Sequence, residues 1–232
     1  MPLAWPTLRA MQPTGAYAAD RASALSGVPK STIHYWARTE LLVPSVAIEK
    51  VKLWSYADLM GLRIIYWLRR QKTDAAGAVV PPTSMRAVRR ALKRLGTLGE
   101  PLWHPDEASI WVAPDGEIHV RGPAGAETVS GQTLVTDALN LIAPFPSREG
   151  LRGPDLARPR PELRIAPGRL SGSPHVVDTR LETSALHALE QDGLGAETIL
   201  SLYPYLTRQQ LSEALDLEGQ LAANLAIADR AA

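Results

Sequence analysis

Two short helical patterns, separated by the break Ser26-Gly27-Val28-Pro29, constrain this chain more than any other feature. Before the break, Ala18, Ala19, Ala22 and Leu25 recur at three- and four-residue intervals, so a short helix can lay one apolar face inward. After it, Pro29 suits a first helical turn, because its fixed backbone angle fits there and its missing N–H is not needed. The second pattern runs through Arg38 and has two faces. Ile33, Trp36 and Ala37 share the apolar one, while Lys30, His34 and Arg38 lie four apart on the other, with Ser31 and Tyr35 beside them.

Leu41-Leu42-Val43-Pro44 ends this second helix. A β-branched stretch from Val46 to Leu53 can form a small hairpin before Trp54-Ser55-Tyr56-Ala57-Asp58-Leu59 opens a third helix. The order reads as a winged helix-turn-helix, a DNA-reading unit whose polar helix face enters a groove. The expected DNA-contacting residues are Lys30, Ser31, Thr32, His34, Tyr35 and Arg38 on the helix and Lys50 and Lys52 in the wing. The alternative is an ordinary helical hairpin with a solvated basic face.

Thr32 to Pro44, with its aromatic pair Tyr35-Trp36, short turn, paired leucines and proline, resembles the recognition-helix signature of the MerR group of bacterial regulators. Leu53 to Leu59 resembles that group's post-wing motif. The chain departs from the pattern at His34, where the group usually carries arginine, and at Glu40, where it usually has glycine.

The net charge of +1 conceals a polarity. Residues 1–100 hold 15 Lys/Arg against 6 Asp/Glu, a net +9; residues 101–232 hold 10 against 18, a net −8. A basic front neutralises phosphates and an acidic rear is repelled by them, so the halves are expected to meet different partners. Cysteine is absent, which removes disulfides, thiol nucleophiles and cysteine-bound zinc. Met1 to Pro6 lacks the basic start and apolar run of a signal peptide, and no run of apolar residues is long enough to span a bilayer. The expectation is a cytoplasmic protein with no membrane contact.

Further along, Asp58 to Gln71 reads as a helix apolar nearly all round, which must be covered on both sides by this chain or by a second copy of it. Met85 to Leu95 reads as a helix with an apolar stripe among arginines and lysines. Ile110 and Val112, then Ile118 and Val120, flank Pro114-Asp115-Gly116 as a β-hairpin, and Thr133 to Ile142 reads as helical. Ala143 to Glu162, broken by prolines and glycines, reads as a linker or strap. Three helical patterns follow, Ser184 to Gln191, Ala196 to Leu202 and Arg208 to about Ala228, after short extended pieces near Leu163 and Val176. The expected architecture is mainly α with a small β component: a winged helix-turn-helix over 1–100, a hairpin and helix segment over 101–142, a linker over 143–162 and an acidic helical domain over 163–232.

Gly172, Pro174, Thr179-Arg180-Leu181, Gly193, Ile199, Tyr203-Pro204, Leu206, Leu211, Ala214-Leu215 and Glu218 resemble a small helical domain family found in prokaryotic antitoxins. Joined to the MerR-like front, the chain is similar to VapB-type antitoxins of type II toxin–antitoxin pairs. That resemblance implies a homodimeric repressor of its own operon, with operator DNA and a PIN-domain ribonuclease toxin as partners and no cofactor. Rear residues expected to meet the toxin are Arg158, Arg160 and Arg180, through its metal-binding carboxylates, or Glu190, Glu197 and Glu213, through its basic rim. A one-component transcription regulator whose rear half binds a small ligand is the alternative. No catalytic or metal-ligand spacing is present: His104, Asp106, Glu107 and His119 are scattered, and an enzyme is not expected.

Overall fold

The computed structural model describes residues 15–73, 77–98, 109–122, 125–127, 138–147 and 150–230. Within them the regular structure is seven α-helices and four small antiparallel sheets, a mainly α fold with a minor β component.

Helices α1 (Ala19–Ser26) and α2 (Lys30–Arg38) form where the apolar periodicity places them. Gly27 ends α1 in the left-handed region at φ 75°, its N–H donating to the Ser23 carbonyl at 2.9 Å. A side chain there meets a second obstacle, since a Cβ would stand 2.8 Å from the Gly153 nitrogen and 2.9 Å from the Phe145 oxygen. The turn between the two helices is therefore seated directly on backbone from far along the chain.

Helix α3 (Tyr56–Leu68) starts with a reciprocal cap. Ser55 Oγ accepts the Asp58 N–H at 3.1 Å, and Asp58 Oδ2 accepts the Ser55 N–H at 2.8 Å. The same carboxylate oxygen takes the N–H and the hydroxyl of Ser45, at 2.9 and 2.7 Å, which fixes the segment after α2 to the start of α3. Burial raises the Asp58 carboxyl above its ordinary value, against the pull of the bonds from Ser55 and Ser45.

Leu59, Met60, Leu62, Ile64, Ile65 and Leu68 of α3 are fully buried. α1 and α4 (Met85–Leu95) pack on this helix, and Val88, Ala91, Leu92 and Leu95 of α4 are themselves buried. Of the two expected covers, this chain's own elements supply one, and no large apolar side chain of either helix is exposed.

β1 (Lys72–Thr73) pairs with β2 (Val79–Val80). β3 (Ser109–Val112) and β4 (Ile118–Gly122) form the expected hairpin, with Ile110 opposite Val120 and Val112 opposite Ile118. β5 (Gly125–Glu127) extends it on β4 and β6 (Leu139–Asn140) on β3. β6 corrects the helical reading of Thr133 to Ile142. Residues 138–142 hold no helix, and Leu141 donates its N–H to Ile110 at 2.8 Å, because the open edge of β3 supplies partners that a weak helical period cannot match. Residues 133–137 of that span lie outside the described residues.

The proline-rich stretch is packed. β7 (Phe145–Pro146) pairs with β8 (Arg152–Gly153), and Phe145, Leu151, Leu156 and Ala157 are buried. Beyond it β9 (Leu163–Arg164) pairs with β10 (His175–Val176), followed by α5 (Thr183–Gln191), α6 (Ala196–Leu202) and α7 (Arg208–Arg230). α7 buries Leu211, Ala214, Leu217 and Leu221, and it packs on α5 and on α1. One contiguous apolar core thus runs from Tyr17 at the front to Leu221 at the rear.

Candidate nucleic-acid interface

The outer face of α2 is polar. Ser31, Tyr35 and Arg38 are exposed, Tyr35 by 55%, and Lys30, Thr32 and His34 are half-buried along the same helix. Behind them Ile33 and Trp36 anchor the helix in the core. The segment 47–53 folds back beside it: Ala47 and Leu53 exchange backbone hydrogen bonds at 3.3 and 2.9 Å, leaving Ile48, Lys50 and Val51 exposed at the tip. Lys52 returns from that tip toward α2.

Lys52, Lys30 and Arg38 all act electrostatically on His34, so four basic side chains from two segments converge. Burial, then these three cations, lower His34 below its ordinary imidazole value, while Asp20 acts the other way. At neutral pH the ring is therefore uncharged. Its edge packs on Trp54, with ring centroids 6.2 Å apart. Lys30 is paired with Asp20 at 2.5 Å. Among the described residues Arg38, Lys50 and Lys52 form no ion pair. Such a face offers cations for phosphates, and hydroxyl, phenol and imidazole groups for base edges.

The six rear residues singled out for protein contact are spread over five stretches. Arg158 and Arg180 are exposed. Arg160 braces the strap to α7, with Nε 2.7 Å from Asp216 and Nη2 donating to Gln220 at 2.6 Å. Glu190 stands 3.4 Å from His187, and Glu197 pairs with Arg208 at 2.5 Å. Glu213 accepts the Glu162 N–H at 2.8 Å and the Gln209 amide at 2.9 Å. Arg160 and Glu213 thus already hold the strap against α7. Among the described residues no cluster of three or more His, Asp or Glu is placed to hold a metal ion, and no helix is long and apolar enough to cross a membrane.

Residues 164–216 match the family DUF433, a protein of unknown function. No curated protein matches the chain, and no solved structure matches it. The DUF433 match takes in β9, β10, α5, α6 and the start of α7; of the groups that tie this segment to the front of the chain it includes Gly172 and stops just short of Glu218 and Asn224.

Those ties are what residue patterns along the chain missed. Arg21 on α1 holds Glu218 on α7 through two hydrogen bonds, at 2.6 and 2.8 Å. Asn224, further along α7, donates to the Ala24 carbonyl at 3.0 Å and accepts the Arg152 N–H at 2.9 Å. Tyr17 donates its hydroxyl to the Gly172 carbonyl at 2.8 Å.

Deepest of all, Arg63 on α3 is fully buried and donates only to carbonyls: Leu25 and Ser26 at the end of α1, Leu141 and Ile142 before the strap, and Ala143 and Pro154 within it, at 2.7 to 3.2 Å. Burial pushes its guanidinium down to about 9, which leaves it charged at neutral pH. A signal for it existed. Arg63 interrupts an apolar run, and the helical neighbours three and four residues away, Leu59, Met60, Tyr66 and Trp67, include no carboxylate. Charge in such a place calls for backbone acceptors.

Proposed function

We propose that this chain is the antitoxin of a toxin–antitoxin pair. In this reading α2 and the 47–53 turn form a winged helix-turn-helix that reads the chain's own operator, and the acidic rear helices bind and silence a PIN-domain ribonuclease. The observation that carries the DNA-binding part is the convergence of Lys30, His34, Arg38 and Lys52 around an exposed Tyr35. The antitoxin part is supported by the sequence resemblance of Leu163 to Leu225 and by the charge of the rear, where residues from Leu181 onward hold 8 acidic and 2 basic side chains. Acidic helices complement the basic rim that an RNA-cleaving protein needs and repel its substrate. Two copies would place two recognition helices on an inverted repeat, one helical turn apart. The chain would act in the cytoplasm, without cofactor and without chemistry of its own.

Fluorescence anisotropy of the full chain on DNA from upstream of its own gene, across a salt series, tests the first part. Binding tighter than to a scrambled duplex is expected, with Arg38→Gln lowering the salt slope by about one. Equal affinity for both duplexes removes operator reading. Co-expression with the product of the adjacent gene tests the second part; failure to form a complex, with RNA cleavage unchecked, removes the antitoxin role and leaves a DNA-binding regulator.

A further inference from the structure

Of the large apolar side chains that the described residues leave exposed, Tyr35, Ile48 and Val51 belong to α2 and the 47–53 turn. Leu202, exposed by 56%, and Tyr205, exposed by 61%, stand elsewhere, three residues apart where α6 runs into α7. α6 packs against α5 and α7 and buries only Ile199, so Glu197, Thr198, Ser201 and Leu202 are exposed on its outer side. The turn that follows is fixed. Leu206 donates its N–H to the Tyr203 carbonyl at 2.9 Å, and Pro204 sits where proline suits such a turn. Leu206 is thereby buried and Tyr205 faces outward, where its ring meets that of Tyr203 edge to face, with centroids 6.1 Å apart.

A tyrosine held in place before contact loses little freedom on binding, and interface energy concentrates at tyrosines so placed. The surroundings of this pair are acidic. Glu190 and Asp192 are exposed at the other end of α6, which has seven residues and so is about 10 Å long. Among the described residues Asp192 has no ion-pair partner, and Glu190 has only the His187 imidazole, at 3.4 Å. Arg208, the one lysine or arginine between Leu181 and Ala228, is neutralised by Glu197 at 2.5 Å. A second copy meeting this one through the same patch would add one acidic margin to another, so complementarity favours a basic partner.

We infer that Leu202 and Tyr205 are the apolar anchors by which this chain holds a basic protein partner, the ribonuclease of the antitoxin reading, on which this inference rests. The two side chains enter an apolar hollow on the nuclease, and lysines or arginines bordering that hollow meet Glu190 and Asp192. Of the rear residues singled out from the sequence, Arg160 and Glu213 are already engaged between the strap and α7. The apolar pair supplies what that charged set does not: affinity comes from its burial, while the acidic margin steers the approach.

The test measures binding of the full-length chain to the purified product of the adjacent gene, with association and dissociation followed separately at low and high salt. Leu202→Ser combined with Tyr205→Ser is expected to weaken the complex about thirtyfold, mainly through faster dissociation. Glu190→Gln combined with Asp192→Asn is expected to slow association about threefold at low salt and to leave dissociation nearly unchanged. All four side chains are exposed, so the thermal midpoint and the DNA affinity of both variants should match those of the natural chain. A complex equally tight in the Leu202 and Tyr205 variant overturns this surface and leaves the antitoxin reading in place, whereas no complex with the natural chain overturns both. Association unchanged in the Glu190 and Asp192 variant overturns the part given to the acidic margin. Loss of self-association in the Leu202 and Tyr205 variant, with nuclease binding intact, would place a second copy on the patch and likewise overturn the assignment.

Discussion

Arg21 and Glu218 form a two-point ion pair between the first and last helices, Nη1 to Oε2 at 2.6 Å and Nη2 to Oε1 at 2.8 Å. The Thr183 hydroxyl donates to the same carboxylate, so one side chain joins α1, α5 and α7. Burial alone would raise the Glu218 carboxyl, but Arg21 and Thr183 hold it below its ordinary value. The helix pair that carries the basic face is consequently braced by the far end of the chain.

Acid should weaken this brace. A carboxylate held low in the folded state stabilises the fold above the unfolded value, ordinarily 4.5 for this group, and the contribution disappears as pH falls through the lower folded value. Urea-unfolding midpoints should therefore drop below that pH. Glu218→Gln should cost about 3 kcal/mol at neutral pH, by leaving Arg21 half-buried and unpaired, and should flatten the acid limb. An acid limb identical in the two proteins would show that Glu218 is not the group responsible.

Replacing Arg63 should be among the costliest single changes. Arg63→Met removes the donor to six carbonyls while filling similar space, and the stranded acceptors should cost on the order of 4 kcal/mol. Arg63→Lys should recover part of this, because an ammonium keeps the charge and three donors. Denaturant melts of the two variants check it; a loss under about 1 kcal/mol in Arg63→Met would mean that water replaces the guanidinium.

Glu40 follows α2 with φ 53°, in the left-handed region that glycine occupies without penalty. Glu40→Gly should therefore stabilise the chain by about 1 kcal/mol, raising the thermal midpoint by roughly 3 °C. A lower midpoint would show that the Glu40 side chain makes a compensating contact.

DNA affinity should carry a histidine signature. With His34 held below its ordinary value of 6.5, binding should vary little with pH above 7 and strengthen below 6.5, where a nearby phosphate favours the imidazolium. Anisotropy titrations between roughly pH 5.5 and 8 should show the rise in the natural chain and lose it in His34→Gln. If that variant keeps the rise, the proton is taken up elsewhere.

The sequence by itself determined the local elements and the chemistry they display. Gly27 and Pro29 bounded α1 and α2, Ser55 with Asp58 started α3, Pro114-Asp115-Gly116 turned the hairpin, and the four-residue spacing of Lys30, His34 and Arg38 put three basic groups on one helix face. These are outcomes of short-range sterics, capping and periodicity, which a one-dimensional pattern carries. Only the tertiary structure decided what covers α3, that Thr133 to Ile142 ends in a strand on β3, and that the strap's Gly153 seats the turn at Gly27. It alone decided that Arg63 serves six carbonyls and that Glu218 answers Arg21 across nearly the whole chain. Each of these depends on partners far apart in sequence, whose meeting is fixed by burying one shared apolar core and leaves no period to read.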